Sequence, residues 1–158
     1  MINILLIDDI ETNVSMLKFV IQSYFDKKKI EHHIDIAENG LEAVGLFFIK
    51  QYDIIFLDII MPKYDGYGVL KTIRHSDKKV LPYICMVTAV TDENQIELFK
   101  ENGANSYIIK PFENAIIHQV LDTALSAKNN TSSNLSELAG MNSQGELINF
   151  EFIDFYDK

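Results

Sequence analysis

Five short apolar runs, each followed by residues at helical spacing, leave this chain few ways to fold. The runs cover 2–7, 33–37, 53–57, 81–88 and 106–109, and isoleucine, leucine, valine and aromatic residues dominate them. Runs of this length and composition, bounded by turn-forming residues, are the signature of buried strands. Between them the apolar residues recur every three or four positions. Val14, Leu17, Val20, Ile21 and Tyr24 form one such stripe, and Leu41, Val44, Phe47 and Phe48 a second. Leu70 with Ile73, and Ile96 with Phe99, mark a third and a fourth. Ile116, Ile117, Val120, Leu121, Ala124 and Leu125 make the fifth. Alternation of this kind predicts an α/β domain with a parallel sheet, and strands apolar on both sides agree with a sheet covered on both faces.

Punctuation residues sharpen the boundaries. Thr12 or Asn13 is predicted to cap the first helix, which the charged stretch 26–29 ends. Asn39-Gly40 reads as a turn, Asp65-Gly66 as the opening of the third helix and Asp92 as the cap of the fourth. Asn102-Gly103 supplies the stop of that fourth helix. Pro82 stands at the beginning of its strand, where proline is tolerated. Composition changes after Ala127. The stretch 129–134, Asn-Asn-Thr-Ser-Ser-Asn, reads as a flexible linker, and the remainder is acidic with Phe150, Phe152, Phe155 and Tyr156 near its end. The expected division is therefore a domain over 1–127 and a polar, then aromatic tail over 128–158. That tail is compatible with packing on the domain, with a dimer contact, with a docking peptide, or with a linker to something further.

A formal net charge of −9 excludes sequence-independent nucleic-acid binding, which needs a basic footprint, and disfavours an anionic membrane surface. The single cysteine, Cys85, lies within an apolar run and reads as a small buried hydrophobe. No apolar run approaches membrane-spanning length, and the expected compartment is the cytoplasm. His32, His33, His75 and His118 are scattered and form no recognisable metal pattern.

The chemistry collects where strands end. The first run ends in Asp8-Asp9, the third in Asp58, the fourth in Thr88 and the fifth in Lys110. In an open parallel sheet these carboxyl ends share one edge, where ligands bind. Asp58 alone would read as the cap of the turn that follows it. Three carboxylates in one place repel one another and imply a cation, and oxygen ligands with retained waters suit Mg2+. Lys110 and the Thr88 hydroxyl complete a set able to grip a phosphoryl group, and a carboxylate held there can itself attack phosphorus.

These residues resemble the receiver domain of two-component response regulators, the CheY-like family. The matching signatures are Ile7-Asp8-Asp9 with Asn13, Leu57-Asp58-Ile59-Ile60-Met61-Pro62, Asp65-Gly66, Thr88-Ala89 and Lys110-Pro111-Phe112, in register across 1 to about 127. The resemblance implies a flavodoxin-like (βα)5 fold with strand order 2-1-3-4-5 and helices on both faces. It makes Asp58 the phosphoacceptor and Asp8 and Asp9 the acidic pair for Mg2+, with Asp58 and the Ile60 backbone carbonyl as further ligands. Thr88 and Lys110 would contact the phosphoryl oxygens, and Thr88 and Tyr107 would form the switch, although Tyr107 is equally compatible with ordinary strand packing. Two positions set the phosphoryl lifetime in the family, and here both are apolar, Ile60 and Val90. Apolar side chains cannot orient an attacking water, so a long-lived phosphorylated state is expected. Ile10 departs from the commoner pattern, in which a third polar residue follows the acidic pair.

The implied function is a phosphorylation-controlled interaction module. It would be fed by a histidine kinase or a histidine phosphotransfer protein, and would catalyse only its own phosphorylation and dephosphorylation. Its output would be protein contacts on the face of the fourth helix, fifth strand and fifth helix, with homodimerisation on phosphorylation left open. A Mg2+-dependent phosphatase with an aspartyl nucleophile is the alternative, but such enzymes carry the nucleophile on the first strand, and here the paired acids come first. Flavin binding is disfavoured because Asp8, Asp9 and Glu11 would repel a phosphate.

Overall fold

A computed structural model describes residues 1–89, 92–134 and 151–157, with 131–134 described by backbone alone. The elements run β1 (Ile2–Ile7), α1 (Glu11–Lys28), β2 (His32–Ala37), α2 (Gly40–Ile49) and β3 (Ile54–Asp58). They continue with α3 (Gly66–Arg74), β4 (Tyr83–Thr88), α4 (Glu93–Glu101), β5 (Ser106–Ile109) and α5 (Asn114–Asn134). The five strands form one parallel sheet in the order β2-β1-β3-β4-β5, as expected.

Alternation along each strand divides the apolar residues between two cores. Ile4 and Leu6, Ile54 and Phe56, and Cys85 and Val87 face α1 and α5, where Val14, Leu17, Ile21, Ile117, Val120 and Leu121 meet them. Leu5, Ile7, Ile55, Leu57, Ile84 and Met86 point the other way, toward Ala43 and Phe47 of α2, Val69, Leu70 and Ile73 of α3, and Phe99 of α4. A side-chain period of two makes this partition automatic once the register is set. The registers Ile7↔Leu57, Asp58↔Val87 and Thr88↔Ile109 end the central strands nearly level. Asp8, Asp58, Thr88 and Lys110 therefore share one edge.

Several local expectations are corrected. Helix α1 begins at Glu11, ahead of Thr12 and Asn13, and its N-cap Ile10 makes no side-chain capping bond. Asn39 caps α2 by accepting from the Glu42 amide, so Asn39-Gly40 starts the helix instead of making a separate turn. The buried stripe of α2 is Gly40, Ala43 and Phe47, while Leu41 and Phe48 are exposed. The helix rolls this way because Gly40 lies against the Tyr64 backbone; a β-carbon there would sit 2.0 Å from the Tyr64 carbonyl oxygen. Asp65 and Asp92 cap α3 and α4 as anticipated, accepting from the Gly68 and Gln95 amides. Helix α5 continues to Asn134, through the polar stretch read as a linker. Among the described residues no helix is long and apolar enough to cross a membrane.

Candidate functional site

Asp58 is the last residue of β3 and is buried, with a short loop following it. The Ile59 amide donates to Asp58 Oδ1 at 2.9 Å, and the Gly66 amide donates to the Ile59 carbonyl at 2.9 Å, closing the loop. Asp8, buried at the end of β1, accepts the Ile10 amide on Oδ1 at 2.9 Å. Lys110 Nζ reaches both acids, 3.3 Å from Asp8 Oδ2 and 3.2 Å from Asp58 Oδ1. Its backbone amide donates to the Thr88 carbonyl at 2.8 Å, which ties the ends of β4 and β5 together. Thr88 is itself buried. Asp9 is exposed, and it completes the acidic group on the solvent side.

The electrostatics of this pocket are unbalanced. Burial pushes the Asp58 carboxyl up, repulsion from Asp8 adds to that, and together they outweigh Lys110 and the Ile59 amide to place it at about 6. One ammonium does not neutralise the acids around it. One ligand oxygen each from Asp8, Asp9 and Asp58 lies within 4.8 Å of the others. An all-oxygen set open on one side fits a hard divalent cation that keeps several waters. The residues present fit Mg2+.

A family model for the response regulator receiver domain matches residues 4–122. The chain belongs to the response regulator receiver family. Among its relatives is the chemotaxis protein CheY of Halobacterium salinarum, 30% identical over 124 residues, covering 78% of this chain and 97% of that protein. Another is the transcriptional regulatory protein ResD of Bacillus subtilis, 35% identical over 109 residues. That match covers 69% of this chain but only 42% of ResD. A solved relative, the receiver domain of a sensor histidine kinase of Pseudomonas aeruginosa with a magnesium ion in its active-site cleft, superposes with a TM-score of 0.67. It is 25% identical and covers 78% of this chain and 97% of its own. Residues 4–122 are thus a response regulator receiver domain, the family that the strand-end residues resemble.

Of the residues singled out from the receiver pattern, Asp8, Asp9, Asp58 and Lys110 come together directly, with Thr88 beside them on β4. Ile60 is 77% exposed at the rim. Val90 lies outside the described residues. Tyr107 sits on β5, three residues before Lys110, buried, with its hydroxyl donating to Asp154 Oδ1 at 2.9 Å. Two residues escaped the sequence reading. Arg74 is a buried cation, with Nε donating to the Gly103 carbonyl at 2.6 Å and Nη1 to the Pro82 carbonyl at 2.8 Å. Its Nη2 donates to Asn105 Oδ1 at 2.7 Å, and Asn105 in turn receives the tail backbone. A basic residue in the inward register of α3 was the available signal for Arg74; nothing in sequence marks Asn105.

Proposed function

We propose that Asp58 accepts a phosphoryl group from a phosphohistidine of a histidine kinase or a histidine phosphotransfer protein. An Asp58 carboxylate oxygen forms the new bond to phosphorus while the phosphorus–nitrogen bond breaks, and the donor imidazole leaves with the electron pair. The carrying observation is Asp58 at the strand end with Lys110 3.2 Å away, so that an incoming phosphoryl oxygen finds a positioned cation. The Asp8 carboxylate holds Lys110 on its other side and keeps the ammonium over the acceptor. Asp8, Asp9 and Asp58, with the Ile60 carbonyl, would hold Mg2+. When bound, Mg2+ supplies charge neutralisation for the phosphoryl oxygens and relieves the repulsion among these acids. Burial of Thr88 beside the acids suits its hydroxyl to a phosphoryl oxygen, and a shift of the β4 and β5 ends toward that group would carry the signal to Tyr107.

The output is a change in protein contacts, and the cytoplasm is the fitting compartment. The side chain of Ile60 gives the site rim no hydrogen-bonding group, which supports slow hydrolysis of the aspartyl-phosphate. The test is incubation of the full chain with acetyl phosphate and Mg2+, followed by mass spectrometry. One phosphoryl group on Asp58 is expected, absent in Asp58→Asn and absent with chelator. An adduct that survives Asp58→Asn would overturn the assignment. Once donor is removed, Ile60→Gln should shorten the adduct lifetime roughly tenfold, well under the ~10²–10⁴ of a fully positioned base. An unchanged lifetime would reject the role given to Ile60.

A further inference from the structure

Strand β5 is an edge of the sheet, and an edge strand presents unpaired backbone groups unless something covers it. Here the cover comes from the chain's own end. The Ile153 amide donates to the Asn105 carbonyl at 2.8 Å, just before β5 begins. At the other end of β5 the Ile109 amide donates to the Tyr156 hydroxyl at 2.9 Å. Between these anchors Asp154 Oδ1 accepts from the Tyr107 hydroxyl at 2.9 Å, and also from the Tyr156 amide at 2.9 Å and the Asp157 amide at 3.1 Å. The Tyr107 ring stacks on Phe152, with centroids 6.2 Å apart, and on Tyr156 at 5.2 Å. Phe155 packs toward the core under α1 and α5, whereas Phe152 and Tyr156 pack toward the core under α4. The segment therefore straddles the sheet edge without adding a strand.

We infer that residues 151–157 are a built-in ligand of the α4–β5 surface, docked in cis, and that a phosphoryl group on Asp58 releases them. Residues 135–150 link Asn134 to Glu151, and a chain of that length reaches roughly 50 Å when extended, ample for docking in cis. The two hydroxyl-mediated contacts fall on Tyr107 and Ile109, three residues and one residue before Lys110. Lys110 bonds Asp58 through its side chain and Thr88 through its amide, so rearrangement around a phosphoryl group pulls on the strand that the tail grips. The seam is also self-opposed. Glu93 and Glu97 of α4 line the same cleft as Asp154 and Asp157, so short-range contacts hold the tail against like charge. Such a ligand is easily displaced, and salt should strengthen its docking by screening that repulsion. A free partner of the receiver can reach this surface once the tail has left.

The release step rests on Asp58 being the phosphoacceptor; the docking does not. The test is residue-resolved amide hydrogen exchange by NMR on the full chain, with and without Mg2+ and beryllofluoride as the phosphoryl mimic, and fluorine NMR to report bound fluoride. Without the mimic, the Ile109 and Ile153 amides should be protected and more so at high salt. Tyr156→Phe keeps the ring but removes the acceptor for Ile109, and should speed exchange at both amides about tenfold. By linkage it should also tighten beryllofluoride binding by the same factor. Bound beryllofluoride should speed their exchange in the wild type. Unprotected amides, or a Tyr156→Phe variant indistinguishable from wild type, would overturn the docking. Protection that grows with protein concentration would overturn docking in cis in favour of a second copy. Bound fluoride with unchanged exchange would overturn release while leaving Asp58 as acceptor; absence of bound fluoride would overturn both.

Discussion

A β-carbon on Gly66 would lie 2.3 Å from the Asp58 carbonyl oxygen and 2.7 Å from the Ile59 α-carbon. Both neighbours are backbone at the end of a central strand, so neither can turn aside. Glycine is required because the loop after Asp58 must close directly over the site, with the Gly66 amide bonded to the Ile59 carbonyl. Gly66→Ala is expected to cost about 1–3 kcal/mol, as overpacking does, and urea unfolding would measure it. The same substitution should also slow phosphorylation of Asp58, since the displaced atoms carry its carboxylate. Stability and phosphorylation rate both matching wild type would show that the loop relaxes freely. Gly66 was legible in sequence as the opening of the third helix, beside Asp65, and as part of the receiver signature; its contact with the backbone at the end of β3 was not.

At the level of elements, β2 shows how an edge strand is secured. Its burial is partial, and Asp35 in its middle gathers three partners. Lys50 Nζ lies 2.6 Å from Oδ2, the Tyr52 hydroxyl donates to Oδ2 at 2.7 Å and His33 Nε2 lies 2.9 Å from Oδ1. Burial pulls this carboxyl up, but hydrogen bonds from Lys50, Tyr52 and His33 outweigh it and bring the group from 3.8 down to about 2. A carboxylate depressed in the folded state stabilises the fold above the unfolded value, and that stability is lost as pH falls from about 4 toward 2. Asp35→Asn should therefore lower stability at neutral pH by about 1 kcal/mol, after solvent screening is allowed for, and flatten the acid limb between pH 4 and 2. Urea midpoints across that window would check both effects. An unchanged acid limb would mean that the three contacts carry no net energy.

Across the whole molecule, Arg74 joins parts that are distant in sequence. From the end of α3 it reaches the carbonyls of Gly103, after α4, and Pro82, before β4, and the side chain of Asn105, before β5. Burial pushes its guanidinium down to about 9, still charged at neutral pH and satisfied by its acceptors. Its planar fork serves these three acceptors from three separate nitrogens, a fixed spread that one ammonium nitrogen lacks. Arg74→Met should destabilise the fold by about 2–4 kcal/mol, because buried acceptors lose charged donors, and Arg74→Lys should not restore it. Since Asn105 receives the Ile153 amide, the same variants should loosen residues 151–157 before the sheet itself unfolds. Denaturant titration with probes on the tail and on the core would separate the two events; coincident transitions would place the tail in the same cooperative unit.

Much of this protein was written in local pattern. Strand and helix alternation follows from side-chain periods of two and about 3.6, and those periods are properties of neighbouring residues. The grouping of Asp8, Asp58, Thr88 and Lys110 followed as well, because parallel strands with similar ends must place those ends on one edge. Tertiary contact decided the rest. Gly40 against the Tyr64 backbone chose which face of α2 is buried, and the propensity of a polar stretch did not stop α5 at Ala127. The rise in the Asp58 value comes from burial and from Asp8 on another strand, quantities that exist only after folding. The aromatic tail carried several readings as sequence. Its seat depends on unpaired groups of an edge strand more than forty positions away, and nothing short of the assembled sheet supplies them.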